Sequence, residues 1–179
     1  MKLEPGDILV NVNTRQDLKS KIMRAASGEY EHVFIYVGKV FNSPFLFESS
    51  TRGVCYKALS SRYGQCVEVL RPQLTKEDKE EVIKTSIEIG SLDTSSYDYK
   101  DIFIYAIPRI LYRKFPSLQE HFPMYVNDKQ FICSEAVAEC FYRNGYEIVP
   151  SNVIPLPEDF VYSDMVDKLG RISLSEKIV

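Results

Sequence analysis

The chain has 179 residues, 45% hydrophobic and 26% charged, which suits one compact domain over 1–179 and is cramped for two. A net charge of −3, with basic residues scattered except for Arg109, Arg113 and Lys114, disfavours nucleic acid or an anionic membrane as a partner. No stretch has the length of an apolar spanning helix, and Met1 to Asp7 lacks a signal-peptide core; the expectation is no membrane span and a cytoplasmic location.

Asp7 to Val12 reads as a strand after the Pro5-Gly6 turn, and Thr14 with Asp17 offers a cap for a helix ending near Ser27-Gly28. Four β-branched and aromatic runs follow, His32 to Val40, Phe45 to Ser49, Gly53 to Ala58 and Cys66 to Leu70. The turn residues between them suggest a meandering antiparallel sheet. Thr75 to Gly90 is a helix capped by Thr75, with acidic residues in its first turn and Val82, Ile83 and Ile87 on its buried side. A second apolar helix is expected from Asp101 to about Tyr112, ended or kinked by Pro108. Phe115 to Gln130, which holds His121, has no clear period and reads as a flap over a site. A further helix starts at Cys133, where Ala136, Val137, Cys140 and Phe141 make an apolar stripe that stops at Gly145; Pro157 to Phe160 opens a last helical turn.

The chemistry-bearing residues sit at two of these places. Cys133 lies in the first turn of its helix, where unpaired N–H groups lower a thiol pKa and can hold an oxyanion. A thiol attacks an acyl carbon as thiolate, so it needs a base within hydrogen-bond reach and a third group to orient that base. His32 opens a regular strand and is the better base; His121 sits between prolines in an irregular segment. Glu48 ends the next strand and comes beside His32 if the two strands pair as a hairpin, giving a Cys133, His32, Glu48 triad. Each residue also has a plainer reading: Cys133 as a small core residue, His32 as a half-buried histidine satisfied by backbone, Glu48 as a solvated strand-end charge. The other thiols, Cys55, Cys66 and Cys140, read as reduced core residues, since the four cysteine spacings match no zinc pattern and one core needs no disulfide framework.

Taken in order, Pro5-Gly6-Asp7-Ile8-Leu9, His32 to Gly38, Glu48 with Gly53-Val54, Tyr97-Asp98-Tyr99, Ile132-Cys133-Ser134-Glu135 and Pro157-Glu158-Asp159-Phe160 resemble the permuted NlpC/P60 proteins, and within them the YiiX/YebB-like branch. The order His32, Glu48, Cys133 is similar to that of the circularly permuted papain-like group, which includes lecithin:retinol acyltransferase-like enzymes. The resemblance implies an α+β, circularly permuted papain-like fold with the cysteine helix on an antiparallel sheet. It also implies Cys133 as nucleophile, His32 as general base and acid, and Glu48 as the orienting member. The expected activity is a cysteine hydrolase that cleaves amide or ester bonds through a thioester, without metal or cofactor. Its expected substrate is a small peptide, amino-acid or lipid acyl compound, with Tyr36, Tyr97 and Tyr99 lining the groove. Two alternatives stay open: an acyltransferase, in which an amine or lipid replaces water, and a non-catalytic module that binds an amino acid or lipid.

Overall fold

A computed structural model describes residues 1–14, 28–50, 53–91, 115, 133–151 and 155–178. The helices expected after Thr14 and from Asp101, nearly all of the 115–130 segment, and Tyr97, Asp98, Tyr99 and His121 lie outside the described residues.

The fold is α+β. Its strands are β1 (Ile8–Val12), β2 (Tyr30–Val40), β3 (Ser43–Ser50), β4 (Gly53–Ala58), β5 (Cys66–Pro72) and β6 (Val166–Ser173). Among the described residues they form one antiparallel sheet in the order β4-β3-β2-β1-β5-β6. The expected meander therefore holds only from β2 to β4. The chain then crosses to the far side of β1 through a 3-10 turn, Leu59–Arg62, whose Leu59 is buried beside Phe34, so the crossing runs over the Phe34 face of the sheet. β1 explains the order: all five of its residues are buried, as a strand covered on both faces requires. β2 and β3 meet in a two-residue turn with Phe41 and Asn42 both left-handed (φ 48° and 64°), the geometry that follows the twist of paired strands.

Alternation along the strands divides the interior into two cores. Ile8, Val10, Val33, Ile35 and Phe47 face one side. Leu9, Phe34, Tyr36, Leu46, Val67 and Val69 face the other. The first side is covered by α1 (Lys76–Ser91), α2 (Cys133–Tyr142) and the short α3 (Pro157–Val161). α1 starts as expected, with the Asp78 N–H donating to Thr75 Oγ1. Its buried side is different: Val82, Thr85, Ser86 and Ile89 face inward and Ile87 is 51% exposed. The polar Thr85 and Ser86 are tolerated there because each is bonded, Ser86 Oγ to Tyr56 Oη at 2.8 Å and Thr85 Oγ1 to Asn144 Nδ2 at 2.9 Å.

In α2 the whole expected stripe, Ala136, Val137, Cys140 and Phe141, is buried on the sheet. A buried phenylalanine there is worth about 3–5 kcal/mol over alanine, so this contact fixes the helix firmly. Gly145, at φ 82°, ends it with the Tyr146 N–H bonded to the Phe141 carbonyl. Near its start, the buried Ser134 hydroxyl donates to the Pro155 carbonyl at 2.7 Å. The helix is thus held at both ends.

Candidate active site

The sheet opens where α2 begins. The β2–β3 ladder runs from Val40↔Ser43 to Ile35↔Phe47, while β3 stays paired with β4 out to Ser50↔Gly53. Tyr36 N–H donates to the Asp7 carbonyl on the β1 side, so by alternation the N–H of Val33 points toward β3, beyond the end of that ladder. This spare donor goes to the Cys133 sulfur, which also receives the N–H of Ser134. Through the gap a thiol carried on the helical side meets a histidine on the opposite face.

His32 belongs to the Phe34 face, its ring 5.6 Å from that of Phe34, and its side chain is 17% exposed. Nε2 lies 3.3 Å from Glu48 Oε2, which leaves Nδ1 for the Cys133 thiol, and the two side chains are hydrogen-bonded. The hairpin register would put Phe34 opposite Glu48, so His32 reaches the carboxylate diagonally across the strand pair. The structure thus brings His32, Glu48 and Cys133 together.

Glu48 is fully buried, not a solvated strand-end charge. Arg62 Nη2 donates to both its oxygens, at 2.8 and 2.6 Å, and Lys57 Nζ lies 2.5 Å from Oε1. Burial alone would raise a carboxyl pKa, but His32, Lys57 and Arg62 together hold Glu48 down at about 2. Burial likewise opposes a charge on His32, yet the Cys133 thiolate and Glu48 raise its pKa to about 9. For Cys133, burial pushes the thiol up, and the imidazolium with the N–H groups of Val33 and Ser134 outweighs it, leaving the pKa below the usual thiol value. Cys140, nearly two turns along the helix, shows the contrast: burial outweighs the charge of Arg143 and pushes the thiol well above that value.

Tyr36 is not brought to the site. It is 3% exposed, packed with Leu9, Phe34 and Leu46, because its position on β2 puts it in the second core, well along the strand from His32. Lys57 and Arg62 were missed by sequence reasoning. Lys57 was within reach of it, since the Ser50↔Gly53 turn sets Glu48 opposite Cys55 and Lys57 on the next diagonal. Arg62 arrives only through the path of the 3-10 turn, for which the sequence carries no such signal.

No family model and no curated protein matches the chain. Its structure is similar to the crystal structure of the metalloprotein yiiX from Escherichia coli O157:H7, with a TM-score of 0.63, 15% identity, and 98% of this chain and 99% of that one covered. At that identity the likeness shows a shared fold. No helix among the described residues is long and apolar enough to cross a membrane.

Proposed function

We propose that the chain is a cysteine hydrolase of the permuted NlpC/P60, papain-like kind, cleaving amide or ester bonds of a small peptide, amino-acid or lipid acyl substrate. The observation that carries this reading is the reciprocal pairing of Cys133 and His32, with the thiol shifted down and the imidazole shifted up to about 9. That is the state a thiolate–imidazolium pair needs at neutral pH, and a core cysteine beside a backbone-satisfied histidine does not produce it. The Cys133 thiolate attacks the acyl carbon while N–H groups at the start of α2 stabilise the oxyanion. His32 gives its proton to the leaving amine or alcohol, the thioester forms, and His32 then takes a proton from water to release the acid. Glu48, ionised throughout, fixes the ring by accepting a hydrogen bond from Nε2 and takes up no proton itself.

The three site donors do not suit a metal. Both oxygens of Glu48 are engaged by cations that would repel one, and no group of three His, Cys, Asp or Glu among the described residues is placed to hold a metal. No step of this reading passes through one.

Incubating the protein with a panel of peptide, aminoacyl and fatty-acyl esters and amides, followed by intact-mass measurement, tests the reading. A mass increase of one acyl group mapped to Cys133, absent in Cys133→Ala, is expected. Turnover that survives Cys133→Ala would refute it.

A further inference from the structure

Resting on that reading, the geometry behind Glu48 assigns Arg62 a role of its own. We propose that Arg62 is a positioning residue that clamps Glu48 against His32 and, with Lys57, gives the buried cluster the surplus positive charge that draws the proton from Cys133.

The groups around Glu48 come from three elements. β2 supplies His32, β4 supplies Lys57 and the cross-strand neighbour Cys55, and the 3-10 turn supplies Arg62; beyond His32, α2 supplies Cys133. With the thiolate formed, three cations face two anions. Orienting one imidazole takes only one carboxylate oxygen, and a carboxylate free to turn would orient it poorly. Arg62 removes that freedom, because a single nitrogen bridges both oxygens at 2.8 and 2.6 Å while the guanidinium lies 5.6 Å over the Phe34 ring that also packs on His32. Arg62 and Lys57 are 20% and 36% exposed, so the cations sit at the edge of the interior while Glu48 is sealed inside it. Arg62 Nε is buried with no hydrogen-bond partner, so a lysine, which lacks that atom, gives up no bond there. Removing the charge makes every proton in the cluster harder to lose, and Cys133 is where that loss is read.

The test is the pH dependence of iodoacetamide alkylation at Cys133, followed by peptide mapping in the full chain and in Arg62→Gln, Arg62→Lys and Lys57→Gln. Arg62→Gln is expected to raise the midpoint of thiolate formation by about one pH unit and slow labelling several-fold below it; Arg62→Lys restores most of the midpoint. Lys57→Gln, at the more exposed cation, moves it the same way by less and carries the test if Arg62→Gln does not fold. A folded Arg62→Gln with an unmoved midpoint, or with slower labelling equal at all pH values, overturns the role. A wild-type Cys133 that titrates like an ordinary thiol overturns instead the nucleophile reading on which it rests.

Discussion

His32→Ala is expected to lower kcat/KM by about 10²–10⁴-fold on any substrate the chain proves to turn over and to return Cys133 toward an ordinary thiol. The two effects have one cause. The imidazolium is the charge that lowers the thiol, and in the proposed mechanism the same ring passes the proton to the leaving group. Folding should survive, because Glu48 keeps Arg62 and Lys57 when the ring is removed. The sign with pH follows from the shifts. His32 is charged well past its ordinary range and loses its proton only near pH 9, while the thiol ionises below its usual value. The wild-type profile should therefore be broad through neutrality and fall as pH rises through about 9. Steady-state rates and Cys133 alkylation on the same samples check this; wild-type labelling in His32→Ala would remove His32 from the site. His121→Ala, in the segment expected to form a flap, should mainly raise KM.

Glu48→Gln is expected to cost about 2–4 kcal/mol of stability near neutral pH while keeping part of the turnover. An amide oxygen still accepts from His32 Nε2, so orientation is weakened, not lost. The charge balance changes more: Lys57 and Arg62 are left beside a neutral group, and their partial exposure keeps the cost below that of a wholly buried broken pair. Glu48 titrates at about 2 in the folded chain against 4.5 ordinarily. Its stabilising contribution is therefore complete above about pH 4.5 and disappears as pH falls toward about 2, a change of roughly 3 kcal/mol. Urea unfolding at several pH values should show this acid-side loss in the wild type and little of it in Glu48→Gln. Parallel curves for the two proteins would mean that the carboxylate is not held as described.

How much of this was legible in the sequence depended on how locally each feature is specified. The α2 stripe and the β2–β3 hairpin announce themselves through period and turn length, and together they bring Cys133, His32 and Glu48 toward one place. β6 did not, because it is an edge strand with Asp167, Lys168 and Arg171 largely exposed. Leu169 is an extra residue in its pairing with β5, next to Gly170 at φ 110°, so no apolar alternation appears. The phase of α1 was misread at Ile87 because Thr85 and Ser86, polar by type, are buried by tertiary hydrogen bonds. The Arg62–Glu48 contact depends on where a connection crosses the sheet, which no local pattern encodes.

Cys133 owes its lowered pKa to the meeting of two layers, a helix turn from one and a ring with a strand N–H from the other. Denaturation parts the layers and leaves a plain thiol, whereas the buried Cys140 is freed by the same event. In rising urea Cys140 should therefore label faster and Cys133 slower, and the crossing of their rates would mark, from one digest, the moment at which helix and sheet separate.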